Sequence, residues 1–191
     1  QKLPLFTRAL DSASTISVGD KVFKAGTDFT ASAGGFARPV SNAEVVYVGA
    51  WVDTSANISA DSAKGKVLVF TPGGPPAGTI ISQFVNSNGY HKWSEMREAA
   101  AAFVVVIGEV LPPSATRAAF MNNTPVFLQD TVGMQINVTR GLAEAMLGAS
   151  YGQWNNHLVG KTIWVNVQFK DNSLPGRNVV AIVPGTDPKL K

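Results

Sequence analysis

Between Ser94 and Gly108 a helical pattern runs, without a loop, into a pattern that cannot be helical. Met96, Ala99, Ala100 and Phe103 stand at i, i+3, i+4 and i+7, with Ser94 placed to cap the helix and Glu95 suited to its positive end. The run Phe103-Val104-Val105-Val106-Ile107 is short, β-branched and apolar on both faces, which predicts a central strand buried on each side with Val105 at its middle. A helix with one apolar face beside such a strand constrains the chain to a layered fold.

Other strands stand out less sharply. Lys21-Val22-Phe23 is a weak strand in a polar, Gly-containing stretch that ends at Ala31-Ser32-Ala33-Gly34-Gly35, so residues 1–40 read as a leader segment that packs against something. Val45-Val46-Tyr47-Val48 and Lys66-Val67-Leu68-Val69-Phe70 read as strands, the second closed by Pro72-Gly73-Gly74-Pro75-Pro76, with a polar helix or loop from Asp53 to Lys64 between them. Thr124-Pro125-Val126-Phe127-Leu128 is a short strand whose proline suits a strand start or an edge. A helix from Thr139 to Leu147 places Leu142 and Met146 one turn apart and meets Gly148 as its C′ residue. Ile163, Val165, Val167 and Phe169 alternate with Trp164, Asn166 and Gln168, the pattern of a half-buried antiparallel strand.

A chain of 191 residues is long enough to bury roughly 70% of its unfolded surface and needs no covalent staples. It has no cysteine, which excludes disulfides and thiolate metal sites. The net charge of +3 and isoelectric point near 9.3 come from scattered Lys and Arg, not from the clustered basic face that nucleic-acid binding requires. The chain begins at Gln1, not at a methionine, and lacks the apolar stretch of a signal peptide or membrane span, as expected of a trimmed sequence. With only 15% charged residues and abundant Ala, Gly, Ser, Thr and Asn, its surface suits an exported protein.

Several short patterns could carry chemistry. Gly148-Ala149-Ser150-Tyr151-Gly152 matches the nucleophile elbow of hydrolases, but a helix precedes Ser150 where a strand is needed, and no carboxylate stands between it and His157. A glycine at a helix end followed by a turn accounts for it. Gly160-Lys161-Thr162 resembles the end of a phosphate loop, yet residue 155 is Asn where that motif needs Gly. His91, Glu95 and Glu98 could be neighbours on a helix, although a solvated helix end explains them and a zinc site normally needs more ligands. Asn57-Ile58-Ser59, Asn122-Asn123-Thr124 and Asn137-Val138-Thr139 fit the glycosylation triplet. Tyr90, Trp93 and, farther off, Trp154 form a possible contact surface, or else cover a core edge. No catalytic, cofactor-binding or metal residue is assigned.

The end of the chain is distinctive. Asn178-Val179-Val180-Ala181-Ile182-Val183-Pro184-Gly185-Thr186-Asp187-Pro188 resembles the first strand of the peptidase domain in the di-zinc aminopeptidase family, where it shortly precedes the strand bearing the first zinc-binding His. Ahead of it, the order Val45-Val46-Tyr47-Val48-Gly49, Ala63-Lys64-Gly65-Lys66-Val67-Leu68-Val69, Glu98 to Ile107 and Thr124-Pro125-Val126 resembles the protease-associated domain over roughly Val40 to Lys170. One departure is Ala100-Ala101-Ala102-Phe103, where the family commonly has a glycine between helix and strand.

The resemblance implies an α+β fold of the protease-associated type, a β-rich open barrel or sandwich with short flanking helices, of the swivelling β/β/α kind. It divides the chain into a leader (1–40), the protease-associated domain (41–170) and the start of a truncated peptidase domain (171–191). It implies a non-catalytic module of an exported zinc aminopeptidase, secreted, periplasmic or at the cell surface, acting as a substrate-access lid or protein-contact surface. Zinc would belong to the peptidase domain beyond Lys191, with no cofactor in this chain. The expected partners are that peptidase domain and peptide or protein substrates, with no nucleic acid and no membrane. The alternative is an independent adhesion or receptor module that holds a peptide with no protease attached.

Overall fold

The computed structural model describes residues 5–31, 39–50, 57–72, 88–121, 125–126 and 134–174. The long apolar runs form one curved sheet of eight strands in the order β3 (Lys21–Lys24), β2 (Thr15–Val18), β10 (Val159–Asn166), β5 (Val40–Ala50), β6 (Val67–Thr71), β7 (Ala102–Gly108), β9 (Met134–Thr139) and β4 (Phe29–Ala31). Strands β5, β6, β7 and β9 are parallel neighbours, whereas β10 runs antiparallel to both β2 and β5, as its alternating pattern predicts.

The two outer strands of this sheet, β3 and β4, are joined by a turn at 25–28, where Ala25 bridges Phe29 and the Gly26 amide donates to the Phe29 carbonyl at 2.8 Å. The sheet therefore curls until its edges meet at this corner, giving a β-rich, nearly closed barrel. Strands β2, β3 and β4 lie within residues 1–40 and share the sheet with the strands of 41–170.

Period-two alternation sends side chains to two cores. Val45 and Tyr47, Val67 and Val69, and Ala102, Val104 and Val106 face the barrel interior, while Val46 and Val48, Leu68 and Phe70, and Phe103 face outward. The outer set is covered by α1 (Ala60–Ala63) and α2 (Asn88–Ala99) through Ala63, Met96 and Ala100. The central strand is β7, as expected, but its best-buried valine is Val104. Val105 is only half-buried, because its side of the strand faces the smaller outer cluster, against which it packs only in part.

Two expectations around α2 are corrected. The helix begins at Asn88, so Ser94 is interior and donates its Oγ to Glu98 Oε1 at 3.2 Å instead of capping. A favourable cap residue does not start a helix when the turn before it is already helical. Phe103 belongs to β7, yet reaches the same cluster as Met96 and Ala100, edge-on to Phe70 at 6.2 Å with the Arg97 guanidinium 4.2 Å from its ring centroid. The bulky residue at the helix-to-strand junction is thus a core anchor.

Helix α4 (Arg140–Leu147) follows β9 directly and inserts Leu142, Ala143, Met146 and Leu147 into the inner core. Its ends follow the sequence reading: Thr139 is the N-cap and Gly148 adopts a left-handed φ of 69°. Strand β10 crosses α4 so closely at Gly160 that a β-carbon there would lie 2.5 Å from the Met146 carbonyl oxygen. Gly160, Lys161 and Thr162 therefore belong to a strand and form no phosphate loop.

A separate three-stranded sheet joins β11 (Phe169–Leu174), β1 (Leu5–Leu10) and β8 (Pro125–Val126) in that order. Pro125 lies in β8, the outer strand of this sheet among the described residues, where a missing amide donor is tolerated. Strand β11 runs across the position 170/171 at which the sequence reading divides two domains. Helix α3 (Pro113–Phe120) contacts β1 and β4. The apolar run Val179 to Val183 lies outside the described residues.

Candidate functional site

Strands β6, β7 and β9 end side by side, and the connections on either side of β7 pack on different cores. Helix α2, leading into β7, packs on the outer cluster, whereas α3, following it, sets Ala119 and Phe120 against the inner one. The carboxyl ends of β6 and β7, where the chain leaves the sheet, border a crevice. A cleft of about 200 Å³ lies there, lined by Thr71, Val106, Ile107, Gly108, Arg140 and Tyr151 among others.

Local rules place each group. Thr71 and Gly108 are the last residues of β6 and β7. Arg140 is the first residue of α4 because the Thr139 hydroxyl accepts the Leu142 amide at 3.4 Å and starts the helix at the strand end. The left-handed turn at Gly148 ends α4, and a single 3-10 turn, Tyr151–Gln153, brings Tyr151 back to the cleft.

One wall is a continuous chain of contacts. Arg140 pairs with Glu109, and its guanidinium lies 4.5 Å from the centroid of the Tyr151 ring. Tyr151 meets Trp154 edge-on at 4.9 Å, and Trp154 tilts against Tyr47 at 5.3 Å. The Tyr47 hydroxyl in turn shares a buried hydrogen bond of 3.1 Å with Thr71 Oγ1, on the cleft lining. The Arg140 Nε is buried and finds no hydrogen-bond partner among the described residues. The lining therefore combines a cation, the Tyr151 ring and the Thr71 hydroxyl beside the apolar Val106 and Ile107, a set suited to binding.

Of the residues singled out in the sequence, Trp154 stands behind this lining, between Tyr151 and Tyr47, half-buried against the core, with its Nε1 donating to the Ala149 carbonyl at 2.8 Å. Tyr90 and Trp93 sit on α2, which packs on the outer cluster; their side chains lie outside the described residues. His91, Glu95 and Glu98 are exposed on the same helix. Among the described residues no group of three or more His, Cys, Asp and Glu could hold a metal ion.

Ser150 is exposed and follows α4, with its amide donating to Gln153 Oε1 at 3.3 Å, so no strand-turn-helix elbow forms around it. Asn137 is half-buried inside β9 and accepts from Gln135 Nε2 at 3.1 Å; Asn57 precedes α1, and Asn122 lies outside the described residues. The carboxyls held below the usual range lie elsewhere. The Ala13 amide lowers Asp11, and hydrogen bonds from Arg8 lower Asp171.

No known protein family matches the chain, and no curated protein matches it. Among solved structures it is similar to the aminopeptidase from Aneurinibacillus sp. strain AM-1, with a TM-score of 0.47 and 14% identity over 91% of this chain and 35% of that one. It is also similar to a peptidase M28 precursor from Shewanella amazonensis SB2B, with a TM-score of 0.44 and 15% identity over 90% of this chain and 37% of that one. The chain thus spans little more than a third of the length of either.

Proposed function

We propose that this chain is a non-catalytic module of the protease-associated type, carried by an exported zinc aminopeptidase, which limits substrate access or holds peptide and protein partners. The observation that carries the reading is the element order. The segments that resemble the protease-associated domain, β5, β6, the α2–β7 junction and Pro125–Val126, are followed along the chain by the segment Asn178 to Pro188 that resembles the start of a peptidase domain. Within the barrel, the cleft at the ends of β6 and β7 is the place suited to hold a peptide segment.

The described residues offer no ligand set for zinc. In this reading zinc and its chemistry belong to the peptidase domain, and the segment from Asn178 onward leads into it. The purified chain is expected to release no aminoacyl chromophore and to keep no stoichiometric zinc after dialysis. Zinc that survives dialysis, or activity that tracks the protein through purification, overturns the non-catalytic assignment.

A peptide-holding adhesion or receptor module is the second reading, because the cleft would serve it equally. The parent open reading frame past Lys191 separates the two. A His-x-Asp strand followed by further carboxylates supports the aminopeptidase, and any other continuation supports the receptor module.

A further inference from the structure

The geometry points to a carboxylate site at Arg140: the cleft binds a peptide through a carboxylate held by the guanidinium, with the adjoining apolar group against Val106, Ile107 and Tyr151. This rests on the peptide-handling reading above and names the chemistry that the cleft selects. Arg140 carries more donors than the described protein uses. Nη1 is paired with Glu109 and the group lies 4.5 Å from the centroid of the Tyr151 ring, while Nε is buried and finds no acceptor among the described residues. Leaving a donor of a cation buried and unpaired is costly, and such groups mark places where a ligand or water completes the set.

Size and charge narrow the choice. A space of about 200 Å³ lies below the range that encloses a whole drug-sized ligand and suits one amino-acid residue or end group. Among the described residues, Arg140 is the one cation that lines the cleft. The Glu109 side chain beside it is 66% exposed and already shows that a carboxylate fits this guanidinium. A dianionic phosphate would meet the Glu109 charge with a single cation to offset it, whereas a planar, singly charged carboxylate matches the remaining edge of the guanidinium.

The test titrates three peptides into the 191-residue chain by calorimetry: N-acetyl-Ala-Ala-Leu as the free acid, the same peptide amidated, and amidated N-acetyl-Ala-Glu-Leu. The free acid, the Glu-containing amide, or both are expected to bind roughly tenfold or more tightly than the uncharged amide, which tells a terminal from a side-chain carboxylate. Arg140→Gln is expected to abolish that preference. Arg140→Lys, which keeps the charge and protects against a folding artefact, is expected to lose most of it. Glu109→Gln removes the competing carboxylate and is expected to strengthen binding several-fold. Equal binding of all three peptides, or a preference unchanged in a folded Arg140→Gln variant, overturns the carboxylate site and leaves the peptide-handling reading standing. Absence of binding for all three at millimolar concentration overturns both.

Discussion

Arg8 and Asp171, 163 residues apart, form a two-pronged ion pair in which Arg8 Nε donates to Asp171 Oδ1 and Nη2 to Oδ2, each at 2.6 Å. They face each other in the register of β1 and β11, and the Arg8 guanidinium lies 5.3 Å from the Phe169 ring centroid. Arg8 is buried, so the pair fixes the ribbon that brings residues 5–10 beside 169–174.

Asp171→Asn should destabilise the protein at neutral pH by about 1 to 2 kcal/mol, the lower part of the range for charged hydrogen bonds because the carboxylate is partly exposed and screened. The hydrogen bonds from Arg8 hold the Asp171 pKa below its ordinary value. Its stabilisation is therefore fully present above the unfolded pKa of about 3.9, and it is lost as pH falls through the lower folded value. Urea unfolding at neutral and acid pH checks this: the variant should lose part of the acid-induced fall in stability, and an unchanged pH profile removes the pair from that role.

Val104→Ala should cost about 1 to 3 kcal/mol and Val105→Ala distinctly less, about 1 kcal/mol or under, because Val104 is fully buried in the barrel and Val105 half-buried on its outer face. Chemical denaturation of both variants decides the order. Equal losses would mean that the outer layer is packed as tightly as the inner core.

Gly160→Ala should destabilise by about 1 to 3 kcal/mol, since the new β-carbon would meet backbone atoms of Met146 and Leu147 and not the yielding end of a side chain. A fall in melting temperature is the readout. Unaltered stability would require α4 and β10 to stand farther apart than they do here.

Tyr47→Phe should cost about 0.5 to 1.5 kcal/mol, because it deletes the hydroxyl bonded to Thr71 Oγ1 and keeps the ring against Trp154. The double variant with Thr71→Val should lose less than the sum of the single changes, and strict additivity would deny the contact.

Ser150→Ala should change stability by less than about 0.5 kcal/mol, as expected of an exposed residue in a turn after α4. A folded variant that lost an activity possessed by the wild type would restore the hydrolase reading that the missing elbow argues against.

Local patterns were enough to place the elements whose signals lie within a few residues. Thr139 and Gly148 mark both ends of α4, the apolar runs mark β5, β6 and β7, and the alternation from Ile163 to Phe169 marks β10, although β10 ends at Asn166 and Phe169 opens β11. Strand β9 carried a readable signal as well, with Met134, Ile136 and Val138 on one face, but polar Gln135 and Asn137 break its apolar run. Strand β2 alternates over only four residues, Thr15 to Val18, amid a polar stretch, and β4 has only three residues. Helix α3 turns only the half-buried Ala115, Thr116, Ala119 and Phe120 inward, a face of small and polar residues with one large apolar side chain, too weak to stand out in the sequence.

The sequence by itself determined where strands and helices could form, because backbone preference and burial period act over a few neighbouring residues. Only the tertiary structure decided that Arg8 meets Asp171, that the sheet curls until β3 and β4 meet, and that Thr71, Gly108, Arg140 and Tyr151 converge on one cleft. Trp154 was visible as an aromatic, but its neighbours Tyr47 and Tyr151 were not. Such partners come from parallel pairing and sheet closure between distant segments, which depend on how whole strands share a core and leave no spacing signal along the chain.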